Sequence, residues 1–289
     1  MPNAVEPPTA SPRRLDEAFS LLADVDGGTW RPLAGGTDLM VQLTGEIGEP
    51  PERVLDIWAL DELRGIAVEA DALVIGALTT YTEIRRSPIV AEMLPALADA
   101  AATIGAAQIQ NRGTLGGNVV NASPAGDTLP LLLATDAEMV LGSARGERTV
   151  PAGAFWPAYR TTARRDDELL IRIRIPLVAG REVRFRKIGT RRAQAISKVV
   201  MALAWRGGVD DAWRDVRLAL GSVAATTIRA PATEAVLEGA RPTRETAMAA
   251  SEALAAEITP IDDVRSTADY RRAVAARVLH RLIRDEGAW

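Results

Sequence analysis

The chain has 289 residues, 47% of them hydrophobic and 25% charged, with a net charge of −4. This is ordinary globular composition with room for two compact domains or one large one, and nothing in it favours nucleic acid. There is no cysteine and a single histidine, His280. Disulfides, a thiolate zinc site, a cysteine nucleophile and an iron–sulfur cluster held by this chain are therefore excluded.

Met1 to Arg14 is polar and Pro-rich without an apolar core. The expectation is a disordered lead-in over residues 1–12, no secretory signal and a cytoplasmic protein. No run of 18 apolar residues occurs, so no helical membrane span is expected. Arg13 to Asp24 spaces Leu15, Ala18, Phe19 and Leu22 as an amphipathic helix. Arg31-Pro-Leu-Ala-Gly-Gly-Thr-Asp-Leu-Met40 then reads as a buried strand, a glycine turn and a helix start. That order suits a phosphate, because free N–H groups and the positive helix end point at it. Asp38 would repel a phosphate, so it is expected to cap backbone N–H groups. No G-x-G-x-x-G follows a strand and no Gly-Lys-Ser/Thr occurs, so neither a Rossmann nor a Walker A loop is present.

Arg53 to Ile57 reads as a strand, and Gly65 to Leu78 as a hairpin turning at Glu69-Ala-Asp71. Tyr81 to Arg86 is a short helix, and Ile89 to Thr103 a longer one with Val90, Met93, Leu94, Leu97 and Ala101 on one face. Asn111 to Asp127 carries Gly113, Gly116, Gly117 and Gly126 among Thr114, Asn118, Asn121, Ser123 and Asp127. It reads as a long polar loop, with repeated glycine letting the backbone approach a flat or anionic ligand. A tight structural turn is the plainer reading. Asn121-Ala-Ser123 is a formal glycosylation sequon, set aside because Pro124 follows and no export signal is read.

Thr128 to Ala134 reads as a short buried helix, and Glu138 to Leu141 with Glu147 to Val150 as a second hairpin. Between Arg160 and Arg192 stand eleven Lys/Arg against Asp166, Asp167, Glu168 and Glu182. This window is either a solvated strand pair or a surface facing an anionic ligand or acidic partner. Within it Leu169 to Pro176 and Glu182 to Ile188 alternate as strands, and Lys187 falls where an apolar residue is due. Lys187 is either a functional contact or a strand-end lysine whose ammonium reaches water.

A domain boundary is expected at Pro176 to Gly180. Strands follow at Lys198–Trp205 and Val216–Val223, then helices at Ala232–Leu237, Arg244–Glu257 and Ala268–Arg284. In the last helix Tyr270, Val274, Val278 and Leu282 form the expected buried stripe, with His280 on the solvated side. No histidine triad, His-ligated metal or His-linked flavin is therefore expected.

Ala34-Gly-Gly-Thr-Asp-Leu39, followed about 80 residues later by Arg112-Gly-Thr-Leu-Gly-Gly-Asn118 and then Asn121-Ala-Ser-Pro-x-x-Asp127, resembles the FAD-binding (medium) subunit of molybdenum hydroxylases. This is the carbon monoxide dehydrogenase and xanthine dehydrogenase family, and the resemblance covers nearly the whole chain. It implies an α+β fold of the p-cresol methylhydroxylase/vanillyl-alcohol oxidase type. FAD would lie between two α+β subdomains over 13–178, ahead of a small C-terminal domain over 181–289 with a three-stranded sheet and helices.

Carried over by position, the resemblance implies FAD contacts at Ala34, Gly35, Gly36, Thr37, Asp38, Leu39, Thr114, Leu115, Gly116, Gly117, Asn118 and Asp127. Later contacts fall at Leu170 and Lys187. Ile104 stands where animal xanthine dehydrogenases use an aromatic ring, so only dispersion and shape act there. The implied role is electron relay with no catalytic acid or base on this chain. A large molybdopterin subunit would hydroxylate the substrate, and a small subunit with two [2Fe–2S] clusters would feed FAD. FAD would then reduce an external acceptor, in a dimer of heterotrimers. A stand-alone FAD oxidoreductase of the same fold and a cofactor-free scaffold subunit are the alternatives.

Overall fold

The computed structural model describes residues 7–24, 26, 28–44, 49–191 and 194–289. Its α+β architecture rests on three sheets. The first is parallel, with β1 (Thr9–Ala10), β2 (Trp30–Leu33) and β3 (Arg53–Asp56) in the order β1-β3-β2. Helix Leu15–Ala23 turns Ala18 and Leu22 onto the core formed with Leu55, Leu60 and Leu63. The expected disordered lead-in is corrected in part: Thr9 and Ala10 pair with Val54 and Leu55, satisfying backbone groups along β3. Residues 1–6 of that lead-in lie outside the described residues.

The second sheet is antiparallel, built from β4 (Ile66–Glu69), β5 (Ala72–Gly76), β6 (Glu138–Ser143), β7 (Gly146–Pro151) and β8 (Leu169–Pro176) in the order β4-β5-β8-β6-β7. Both expected hairpins are present. Helix Tyr81–Arg86 begins with a capping box between Thr80 and Glu83. The single helix expected from Ile89 to Thr103 is instead two, Pro88–Met93 and Pro95–Ala102. The chain breaks at Leu94 (φ −152°, ψ 66°), because Pro95 disfavours helical backbone before it and lacks an N–H to continue the ladder.

The third sheet, antiparallel, runs β12-β11-β10-β9, with β9 (Arg181–Ile188), β10 (Val199–Gly207), β11 (Trp213–Gly221) and β12 (Ile228–Arg229). It has four strands rather than the expected three, because the two residues of β12 are too few to show alternation. Both of its faces are buried. Val199, Met201, Leu203 and Trp205 of β10 pack with helices Pro231–Leu237, Arg244–Glu257 and Ala268–Gly287. Val200, Ala202 and Ala204 join the core that includes helix Leu129–Ala134. That double burial is why β10 reads as an unbroken apolar run.

The buried stripe of the last helix is Arg271, Ala275, Leu279, Leu282 and Ile283, one residue round from the expected one. Tyr270 is 43% exposed, and Val274 and Val278 are half-buried. The stripe turns because Arg271 is held inside, donating to Asp263 (2.7 Å) and to the carbonyls of Ser222 (2.8 Å) and Lys198 (3.1 Å). His280, expected to be solvated, is half-buried and stands edge-on to Trp289 at 5.6 Å between ring centres.

Candidate cofactor site

A cavity of about 920 Å³ is lined by both glycine segments, by the start of β8 and by loops of the third sheet. It takes in Ala34, Gly35, Gly36, Thr37, Asp38, Leu39, Ile104, Thr114, Gly116, Gly117, Asn118, Asp127, Leu170 and Lys187. Of the residues singled out in the sequence, Leu115 alone stays outside. Its side chain is fully buried in the core, as the first apolar residue of a helix must be when its neighbours are glycines.

The first glycine segment follows β2. Among the described residues, the N–H groups of Gly35, Gly36, Thr37, Asp38 and Leu39 donate to no protein acceptor. Gly36 has φ +76°, a conformation glycine adopts without strain. A methyl carbon on Gly35 would lie 1.7 Å from the Arg112 carbonyl oxygen, so the two segments interlock there.

The second segment is not the long loop expected from its glycines. Leu115–Asn121 is a helix, N-capped by the Thr114 hydroxyl, which accepts from the Gly117 N–H at 3.0 Å. Leu115 N donates to Thr79 O (3.0 Å), Gly116 N to Ala77 O (2.9 Å) and Asn118 N to Thr114 O (3.1 Å). Its amides are thus taken by the protein rather than held open. Gly116 lets this helix sit on Ala77, whose Cβ and carbonyl oxygen would each lie 2.6 Å from an added methyl carbon. Tertiary packing overrides the low helix propensity of the glycine pair.

Asp38 caps no amide, contrary to expectation. Its carboxylate accepts from Asn121 Nδ2 (2.9 Å), and Asn121 Oδ1 accepts from Arg160 (3.3 Å). Burial raises its pKa, outweighing the opposing effects of Arg160 and Asn121.

At the other end of the second segment, Lys187 Nζ donates to Asp127 (2.6 Å) and to Thr103 O (3.1 Å), and the Ser197 hydroxyl donates to the other Asp127 oxygen. Burial raises the pKa of Asp127 against the help of Lys187 and Ser197. This buried ion pair bolts β9 and the loop before β10 to the second glycine segment. The lysine that broke the strand pattern therefore has an internal partner.

Most of the basic window is likewise neutralised within the chain. Arg172 pairs with Glu147, Arg181 with Asp215 (2.8 Å) and Arg184 with Glu286 (2.6 Å). Arg160, Arg164 and Lys187 are its cations that line the cavity. Sequence reasoning missed Tyr81, Arg31 and the contributions from beyond β9: Ser197 and Ser222 from loops of the third sheet, and Asp263, Arg265 and Arg271 from the last helix and the segment before it. Tyr81 is 2% exposed; burial, with Asp127 and Asp38 nearby, pushes its pKa well up against the smaller opposing effect of Thr128. The one available signal was Arg271, a charge on the inner side of an otherwise apolar helix. Among the described residues no group of three or more acidic or histidine side chains is arranged to hold a metal ion.

Comparison with known proteins matches residues 5–178 to the FAD binding domain in molybdopterin dehydrogenase and residues 184–285 to the CO dehydrogenase flavoprotein C-terminal domain. The chain is 33% identical over 280 residues to the carbon monoxide dehydrogenase medium chain of Hydrogenophaga pseudoflava, with 96% of each covered. It is 33% identical to the xanthine dehydrogenase FAD-binding subunit of Escherichia coli O157:H7, covering 89% of this chain and 88% of that one. Among solved structures, carbon monoxide dehydrogenase of Hydrogenophaga pseudoflava superposes with a TM-score of 0.90 at 34% identity, covering 96% of each chain. Quinoline 2-oxidoreductase of Pseudomonas putida 86 superposes at 0.91 with 26% identity, covering 98% of each. Two family domains in order, over a cavity walled by both glycine segments, establish that the chain belongs to the FAD-binding medium subunits of molybdenum hydroxylase-type oxidoreductases, the carbon monoxide and xanthine dehydrogenase family.

Proposed function

We propose that this chain is the electron-relay subunit of a multi-subunit molybdenum hydroxylase, with its domains at 13–178 and 181–289. A small partner would carry two [2Fe–2S] clusters and a large partner the molybdopterin cofactor, in a cytoplasmic dimer of heterotrimers that reduces an external acceptor. The observation that carries the reading is the row of five unpaired amides, Gly35 to Leu39, opening into a cavity between two sheets. Such a row, with Asn118 and Asn121 close by, fits the diphosphate of FAD. Ile104 and Leu170 offer apolar wall for a flat ring system.

Bound FAD supplies the exchange between one-electron and two-electron carriers. The chain's own part is to hold it. Gly35 to Leu39 receive negative charge, Gly116 keeps its helix close on Ala77, Gly117 leaves open space beside it, and Asp127 with Lys187 fixes the C-terminal domain against the cavity. The residues assigned to the cofactor are those that line the cavity, from Ala34 through Leu39, then Ile104, Thr114, Gly116, Gly117, Asn118, Asp127, Leu170 and Lys187.

The test is capture of the chain from its native host, with an absorbance spectrum and metal analysis of what accompanies it. The expected result is a flavin band near ~450 nm together with iron, molybdenum and two further polypeptides. Flavin alone, with no metal and no partner, would overturn the relay.

A further inference from the structure

Trp58 stands just beyond β3, half-buried, with its backbone N–H donating to Asp56 Oδ1 at 3.0 Å. Two guanidinium groups share its ring. That of Arg64 lies 4.4 Å from the ring centre and donates to the carbonyls of Trp58 itself (2.9 Å) and Leu78 (3.2 Å). That of Arg112 lies closer, at 3.8 Å. Arg112 is exposed and, among the described residues, forms no ion pair. An unpaired surface arginine ordinarily samples many rotamers, and the face of an indole is the strongest aromatic platform for holding one in place.

Arg112 in turn meets one peptide of the open-amide row. Its Nε donates to the Gly35 carbonyl oxygen at 3.5 Å, and its own carbonyl occupies the space that a side chain on Gly35 would need. A trans peptide points its C=O and N–H in opposite directions. A Gly35 carbonyl turned to Arg112 therefore leaves the Gly36 N–H turned away from it. Gly35 and Gly36 line the cavity, whereas Trp58, Arg64 and Arg112 do not. The stack lies behind the glycine segment.

We propose that Trp58 is a positioning residue for the cofactor: stacked on Arg112, it holds the Gly35–Gly36 peptide with its amide open to the diphosphate. The inference rests on the reading of Gly35 to Leu39 as the diphosphate site. At 3.5 Å the contact to Gly35 O is long for a hydrogen bond. It orients the peptide only while the guanidinium is kept from swinging into water. The ring supplies that restraint, and Arg64 with Asp56 fixes the ring.

The test is titration of FAD into the FAD-depleted chain, followed by flavin fluorescence, beside the melting temperature of each FAD-free variant. Trp58→Leu keeps apolar bulk without an aromatic face and is expected to weaken FAD binding about tenfold. Trp58→Phe restores the face and should bind within about threefold of wild type. The two variants should melt within a few degrees of each other, so that affinity follows the ring and not stability. Equal FAD affinity in the Leu and Phe variants overturns the inference, whatever its value.

A double-mutant cycle tests the route through Arg112. Arg112→Gln, at an exposed side chain, should also cost about tenfold, and Trp58→Leu combined with Arg112→Gln little more than either alone. Losses that multiply to about a hundredfold would show that Trp58 acts by another route and overturn its role. Failure of the diphosphate-site reading appears in the wild type itself, as a chain that takes up no FAD or takes it up without moving the Gly36 amide resonance. Either result would remove this inference with it, whereas the variant results above remove it alone.

Discussion

The two glycine segments look alike in sequence and do opposite things with their backbones. After β2, five consecutive N–H groups from Gly35 to Leu39 remain open to the cavity. From Leu115 to Asn118 the N–H groups are closed onto Thr79, Ala77 and Thr114. Glycine in the first segment allows a turn with φ > 0 and an interlock with Arg112; in the second it lets a helix approach Ala77. A glycine pair near a ligand is therefore not by itself a ligand contact. What separates the two uses is where the neighbouring amides point and what a methyl group would strike.

The largest expected effect comes from joining the segments by force. Gly35→Ala would set a methyl carbon 1.7 Å from the Arg112 carbonyl, and nothing short of backbone movement relieves that. The variant is expected to lose more than ~4 kcal/mol, enough to leave little folded chain. A melting temperature close to wild type would show that the interlock is not needed.

Next is the bolt at the end of the second segment. Lys187→Met leaves the Asp127 carboxylate buried with Ser197 alone, and a loss of ~3 kcal/mol is expected. Burial already raises the Asp127 pKa, and without the ammonium it rises further above its unfolded value. Such a group stabilises the fold below the unfolded pKa and loses that contribution as pH rises through the folded pKa. The deficit against wild type should thus be smaller in urea titrations at about pH 5 than at about pH 8; a deficit independent of pH would contradict this account.

The finest cut separates two adjacent residues. Gly116→Ala collides with Ala77 and is expected to cost ~2 kcal/mol of stability. Gly117→Val meets only the Thr114 hydroxyl within 4 Å, and otherwise extends into open cavity. It should lose about 1 kcal/mol through the cap yet purify folded and largely without flavin. If the Gly117 variant kept a full complement of FAD, the second segment would have no close cofactor approach to lose.

Much of the fold was legible because strands write their burial plainly. The hairpins at Ile66–Gly76 and Glu138–Pro151 are marked by their turns at Glu69-Ala-Asp71 and Arg145-Gly146, and Leu169–Pro176 by alternation, one residue in and one residue out along its second half. What escaped needed information from elsewhere in the chain. The helix at Leu115–Asn121 depends on Ala77 and Thr79, some 40 residues earlier, accepting its amides. Arg271 sits inside because Asp263 and two carbonyls meet it there. In the site, the glycine segments were readable from composition, whereas Tyr81 and Arg31 carry no local mark. Their importance comes from the space they border.

β2 ends its sheet, and its residues line the cavity, so a strand edge must stay bare for the groove to admit a ligand. Bare edges recruit strands from other molecules. The Leu33 carbonyl accepts from Ile57 N (3.0 Å), turning Leu33 toward β3, and alternation turns Pro32 toward the open side. There the imide nitrogen has no hydrogen to offer, and the edge is a poor template for any intruding strand. The strand that borders the groove thus carries its own safeguard against self-association.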